Sequence, residues 1–193
     1  MSEFSDDLTN IFGDAFKKRT EDKISDVLDE IKDIIYGFKD KNTGEIYDNR
    51  EWIHNCKDLS RYYKVQTDPR ITLKDKLGIC TDQCLAIEYL LKQKHPDIDP
   101  CLYALTKGRF GHCTLGFKDG ENYYYLENAW DKMKKDDKPT LYGPFETEDK
   151  LKDFFRDIYF KAHEKDNDDP VSVRTYSEYL SESVLTEDFI YFK

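Results

Sequence analysis

Cys80 follows Gly78-Ile79 and opens the apolar-striped stretch CTDQCLAIEYLL; His112 opens HCTLGFK; Glu127-Asn128 closes YYYLEN. That order carries chemistry. A thiol attacks an acyl carbon only as thiolate, and a free cysteine, with a pKa of about 8.5, is mostly protonated at neutral pH. A helix N-terminus supplies partial positive charge and free backbone N–H groups that favour the thiolate. A neighbouring imidazolium adds a full charge and can later protonate a leaving group. The imidazole in turn must be held in one tautomer, which a carboxylate or amide on an adjacent strand can do.

The elements that would position these groups follow from the apolar spacing. Residues 1 to 20 carry a short helical stripe, and from Ile24 the stripe continues through Val27, Leu28, Ile31, Ile34, Ile35 and Phe38, which predicts a helix packed on the domain. KDKNTGEIYDNRE reads as a polar loop with a turn at Asn42 to Gly44, and residues 52 to 63 as a further helix. Val65 to Pro69 reads as an extended lead into the next element. The helix led by Cys80 runs to about Lys94, with Cys80, Cys84, Ile87 and Leu91 on one face, and His95-Pro96 stops it. Residues 101–106, 112–118 and 123–128 read as three strands, the last two joined as a hairpin at Asp119-Gly120. A helix from about Glu148 turns Leu151, Phe154, Phe155 and Ile158 inward, and EKDNDDP opens a tail to which no element is assigned.

Which residue shares a side of the sheet with His112 depends on the hairpin. A two-residue loop, Asp119-Gly120, sets His112 opposite Glu127, whereas a three-residue loop ending at Glu121 sets it opposite Asn128. One residue of slip moves every side chain to the other face.

In KLGICTDQCLAIEYLL and GHCTLGFKDGENYYYLENAW the sequence resembles the transglutaminase-like branch of the papain-like cysteine enzymes, over about residues 50 to 160. The resemblance implies an α+β fold in which a Cys-led helix packs on an antiparallel sheet of at least three strands, with accessory helices at both ends. It implies Cys80 as nucleophile and His112 as general base and acid. It puts the orienting acid where Glu127 stands, while Asn128-Ala129-Trp130 looks like the papain-type Asn-Ser-Trp, whose amide orients the histidine. Two departures stand out: Cys84 lies one turn below Cys80, and no side-chain oxyanion donor occupies the family's usual place. The backbone N–H of Cys80 is the default donor, with Gln66 and Trp130 as candidates for contact with the substrate or its oxyanion.

The expected organisation is an N-terminal helical segment (1–40), a catalytic domain (41–164) and an acidic tail (165–193). The expected activity is thiol-dependent acyl transfer on a polypeptide or other amide, with no cofactor and no metal. Cys80, Cys84, His112 and Cys113 are ligand types suited to structural zinc, but alternation along a strand turns His112 and Cys113 to opposite faces. The other alternative is a binding module that keeps the fold without the activity. Cys56, Cys101 and Cys113 read as packing residues, and His54, His95 and His163 as surface residues. Forty acidic against thirty basic residues give a net charge of −10, which repels nucleic acid and anionic membrane. Five cysteines, an odd number, with no basic-apolar leader at MSEFSDD, lead to the expectation of a cytoplasmic protein.

Overall fold

The computed structural model describes residues 3–56, 58–108, 110–130, 133–163 and 169–183. Its centre is a five-stranded antiparallel sheet flanked by helices, a mixed α+β architecture. In chain order the helices are α1 (Glu3–Lys23), α2 (Ser25–Ile31), α3 (Arg50–Asn55), α4 (Pro69–Asp75), α5 (Cys80–Lys94), α6 (Glu148–Ala162) and α7 (Tyr176–Ser183). Four two-residue strands precede the sheet: β1 (Ile35–Tyr36), β2 (Phe38–Lys39), β3 (Ile46–Tyr47) and β4 (Leu77–Gly78). The sheet itself holds β5 (Ile98–Lys107), β6 (Phe110–Asp119), β7 (Asn122–Glu127), β8 (Thr140–Phe145) and β9 (Ser172–Thr175), in the order β8-β7-β6-β5-β9.

Both faces of the sheet are apolar, because residues of both parities along its strands are hydrophobic. Leu102, Cys113, Leu115, Phe117, Tyr124 and Leu126 pack with Cys84, Ile87 and Leu91 of α5 and with Val27 and Ile31 of α2. Tyr103, Leu105 and Tyr125, of the opposite parity, pack with Leu151, Phe155 and Tyr159 of α6. The result is three layers, α5 and α6 on opposite sides of one sheet. A third cluster, built on Phe38, Ile53, Leu59, Tyr63 and Ile79, lies beneath the β2–β3 pair and reaches the start of α5.

Several expectations need correction. The stripe from Ile24 to Phe38 is not one helix: α2 ends at Ile31, and Ile34 to Lys39 carry β1 and β2 instead. The β-branched Ile34-Ile35, followed by Tyr36-Gly37, suit an extended chain, and a Cβ at Gly37 would stand 2.5 Å from the Tyr47 carbonyl oxygen. Residues 52 to 63 hold the end of α3 and a 3-10 turn at Leu59–Arg61 rather than one helix. Helix α4, started by Pro69 with the Asp68 side chain accepting from the Arg70 N–H, had no counterpart in the apolar pattern. In the tail, β9 pairs with β5 and α7 follows it, while most of SESVLTEDFIYFK lies outside the described residues.

The β6–β7 hairpin also differs. Asp119 pairs with Asn122, so its two-residue loop is Gly120-Glu121, with Gly120 at φ +62°. The ladder runs back only to Leu115↔Leu126. Relative to the loop Asp119-Gly120 this is a slip of two, not one, so the face of every side chain is unchanged. His112 and Glu127 therefore share a side, lying diagonally, and Asn128 projects to the other.

Candidate functional site

The start of α5 is built for close approach. A Cβ on Gly78 would stand 2.9 Å from Asp82 Cβ and 3.0 Å from Thr72 Cγ2, so only glycine lets the chain enter the helix between α4 and the first turn. The buried Asp82 then braces that turn. Its Oδ2 accepts from the Ile79 N–H at 3.1 Å, and its Oδ1 accepts from the Tyr63 hydroxyl at 2.6 Å and the Gln66 N–H at 2.8 Å. Burial nonetheless raises its pKa to about 6 against those hydrogen bonds.

Cys80, the first residue of α5, meets β6 where β7 no longer pairs with it. There the backbone of Cys113 has lost a strand partner, and two thiols replace it. The Cys113 N–H hydrogen-bonds Cys80, and the Cys113 carbonyl accepts from Cys84 Sγ at 3.4 Å. Cys80 thus lies at the strand edge, packed with the α5-face cluster on one side and lining the cleft on the other. That is how His112, which alternates away from Cys113 and α5, still meets Cys80 in the cleft and bears on its thiol.

His112 is clamped on its other side. Its Nε2 stands 3.2 Å from Glu127 Oε2, which leaves Nδ1 for the thiol. Trp130 packs against the ring with centroids 5.4 Å apart, and itself meets Tyr159 of α6. Glu127 is held by four donors: the Ala129 N–H at 2.6 Å and the Trp130 N–H at 2.8 Å on Oε1, with His112 and the Tyr125 hydroxyl on Oε2. The sharp turn after β7 is thus tied down by the carboxylate that meets the imidazole.

Electrostatics follow from this chain of contacts. Burial alone would raise the Cys80 thiol; the hydrogen bond and charge of His112, with the Cys113 N–H and Thr81, carry it below its ordinary value. Burial would lower the pKa of His112, but Cys80 and Glu127 lift it to about 10. Burial would raise Glu127 too, and His112, Tyr125 and the Trp130 N–H hold it below the usual carboxylate range. The combination favours a thiolate, an imidazolium and a carboxylate in one row. Cys84 is the opposite case: burial, and then its neighbours Cys113 and Cys80, push its thiol well up, so it stays a protonated packing group and hydrogen-bond donor.

A cleft of about 230 Å³ opens over Cys80 and His112, walled by Tyr36, Arg50, Trp130 and Tyr159. Of the candidate site residues, Cys80, His112, Glu127 and Trp130 come together, Trp130 through its ring and its backbone N–H. Asn128 does not join them: its Nδ2 donates to Gln83 Oε1 at 2.7 Å and to the Ile31 carbonyl at 3.3 Å, tying the sheet to α5 and α2. Nor does Gln66, whose Oε1 accepts from the Asp68 N–H and which lines a separate cavity of about 80 Å³ beside Asp82. His54, exposed as expected, and the half-buried His163 both line the cleft. Tyr36 and Arg50 escaped the sequence reading altogether. Tyr36 comes to the cleft beside Cys80 from a two-residue strand, and no local pattern announces such a pairing. Among the described residues no group of three His, Cys, Asp or Glu side chains could hold a metal ion, and no helix is long and apolar enough to cross a membrane. The chain matches no protein-family model and none of the curated proteins.

Proposed function

We propose that this protein is a thiol-dependent acyl-transfer enzyme, with Cys80 as nucleophile, His112 as general acid and base, and Glu127 as the residue that orients His112. The reading rests on one observation above all: His112 shares a cleft with the thiol at the start of α5, while its Nε2 stands 3.2 Å from the buried Glu127 carboxylate. The order of Cys-led helix, histidine strand and acid-ending strand supports assigning the α+β architecture to the papain-like, transglutaminase-like type.

The steps follow from the charges. Cys80 Sγ attacks the carbonyl carbon of an amide; the C–S bond forms as the carbonyl π pair moves to oxygen. The Cys80 N–H, at the first position of α5 and without a partner inside the helix, faces the developing oxyanion. As the thiolate is consumed, His112 loses the negative charge that raised its pKa, so its proton becomes available to the leaving nitrogen. The C–N bond breaks and a thioester remains. Water then attacks the thioester, giving a proton to the neutral His112, and collapse of the second adduct returns the Cys80 thiolate and a carboxylic acid. Hydrolysis is preferred over transfer to an amine, because transfer demands a closed site that excludes water. The substrate is a polypeptide or other amide, and the five free cysteines suit a reducing compartment such as the cytoplasm.

The test is labelling with iodoacetamide at neutral pH, followed by mapping of the modified residue. Selective modification of Cys80, lost in His112→Ala, is the expected outcome. Labelling of the half-buried Cys56 and Cys101 with Cys80 untouched would overturn the reading.

A further inference from the structure

Tyr36 lines the same cleft as Cys80, near enough for the thiolate charge to act on its hydroxyl, yet the steps above give it no part. We propose that the Tyr36 hydroxyl is the side-chain donor of the oxyanion site, a role that rests on the thiol acyl-transfer reading of Cys80.

Its position is fixed from both sides. The parallel pairing of β1 with β4 sets Tyr36 beside Gly78, two residues before the nucleophile, and the Gly37 N–H donates to the Gly78 carbonyl at 3.4 Å. Behind it, the absence of a side chain at Gly37 lets the strand lie against the Tyr47 carbonyl. The ring is then clamped. The Arg50 guanidinium carbon stands 4.2 Å from its centroid, and the His54 ring meets it edge-on with centroids 5.6 Å apart. Arg50 in turn donates from Nη1 to the Ala129 carbonyl at 2.6 Å, which ties the ring to the turn that Glu127 anchors. A donor held this firmly needs no reorganisation when charge develops, which is what makes an oxyanion site effective.

The chemistry fits the group. Burial, and then the charge of Cys80, keep the phenol well above its ordinary pKa, so it remains an O–H donor at neutral pH. In the resting site it lines the cleft beside the thiolate. During attack the negative charge leaves sulfur and appears on the carbonyl oxygen, bonded to the carbon that Sγ has just reached. Rotation about the Tyr36 C–O bond aims the O–H at that oxygen, and the proton stays on Tyr36 throughout. The Cys80 N–H supplies the second donor. Neither Gln66 nor Asn128 can do so: Gln66 lines the separate cavity beside Asp82, and Asn128 Nδ2 is committed to Gln83 and the Ile31 carbonyl.

The test compares two reactions of Cys80 that differ in whether an oxyanion forms. Acetylation by p-nitrophenyl acetate passes through one; alkylation by iodoacetamide does not. Tyr36→Phe keeps the ring under Arg50 and should slow acetylation by about 10²- to 10³-fold, the effect of deleting one oxyanion donor, with alkylation undiminished. Tyr36→His, whose ring N–H can donate, should recover part of the acetylation, and circular dichroism of each variant checks the fold. Unchanged acetylation in Tyr36→Phe, beside a wild type that takes both reagents at Cys80, would overturn the role of Tyr36 and leave the acyl-transfer reading standing. Parallel loss of both reactions would also overturn it, because the ring would then merely shape the cleft. A wild type whose Cys80 takes neither reagent would remove the acyl-transfer reading and this role together.

Discussion

Glu127 and Asn128 are adjacent in the chain and turn to opposite sides of the sheet. Glu127 Oε2 stands 3.2 Å from His112 Nε2, while Asn128 Nδ2 donates to Gln83 Oε1 at 2.7 Å. Gln83 Nε2 continues to the Gly78 carbonyl at 2.8 Å, so Asn128 supports the start of α5 from beneath. One residue faces the reacting groups and its neighbour holds their scaffold.

Substitutions at the two positions should therefore separate. Glu127→Gln keeps one amide oxygen for the backbone donors of Ala129 and Trp130 but removes the charge that holds His112 protonated. Cys80 alkylation at neutral pH should fall, with the fold retained. Asn128→Ala should instead lower stability by about 1–3 kcal/mol, the cost of leaving buried partners unmet, while folded protein still alkylates at Cys80. Denaturant midpoints and alkylation rates measured on both variants check this; a loss of alkylation in Asn128→Ala alone would move the orienting role to the amide.

Asp82 gives a pH dependence with a definite sign. Burial lifts its pKa from 3.8 to about 6 in the folded chain. Between about pH 4 and 6 the unfolded chain loses this proton first and so binds fewer protons than the folded one. Stability from this group is then full below its unfolded pKa and falls as pH rises to its folded value. The stability of wild type relative to Asp82→Asn should fall by roughly 3 kcal/mol across that window, at 1.36 kcal/mol per pKa unit. Urea midpoints at constant ionic strength measure it. A wild type that gains stability relative to the variant as pH rises would mean that Tyr63, Gln66 and Ile79 stabilise the anion more than burial opposes it.

The helix of Cys80, the strand of His112 and the helix from Glu148 were legible because each carries its period in consecutive residues. The partner of His112 was legible only as a choice between Glu127 and Asn128. Neither hairpin loop considered is the observed one, but the loop Asp119-Gly120 differs from it by an even slip that leaves the faces unchanged, whereas the three-residue loop differs by one residue and would turn them over. Most of what escaped the sequence is short: helix α4, the strands β1 to β4, and β9, and strands of two residues leave no alternation to read. The six-residue β8 escaped because Gly143-Pro144 interrupts its apolar run. Tyr36 reaches Cys80 across more than forty residues of chain through such a pair, so its place at the cleft follows from tertiary packing alone.

Gly78 tests how tightly the approach to the nucleophile is built. In Gly78→Ala the new methyl would meet the Cβ of Asp82 and the Cγ2 of Thr72, and neither is the far end of a flexible chain. Relief requires α4 and the first turn of α5 to separate. We expect a loss of stability of about 1–3 kcal/mol, typical of overpacking, together with slower Cys80 alkylation in the folded protein. Thermal melts and alkylation rates together decide; normal values in both would show that the glycine is not needed for the helix start.

The state of Cys80 itself is the most direct measurement, because activation and burial have opposite signs. Burial by itself pushes a thiol up, whereas the neighbouring His112 imidazolium and the Cys113 N–H pull Cys80 down. His112 holds its proton to about pH 10, so the thiolate–imidazolium pair should persist from the lowered thiol value up to that pH. Alkylation of the Cys80 peptide, followed by mass spectrometry against pH, should therefore already be fast below neutral and nearly level until His112 titrates. In His112→Ala the imidazolium is gone and burial is opposed only by the helix terminus and the local hydrogen bonds. The profile should then move to higher pH, beyond the unperturbed thiol value of about 8.5 if burial dominates. His112→Ala with the wild-type profile would show that the helix start, not the imidazole, sets the thiol. A wild-type profile that rises only above the unperturbed value would mean that Cys80 packs as Cys84 does, and the cleft would then have no nucleophile.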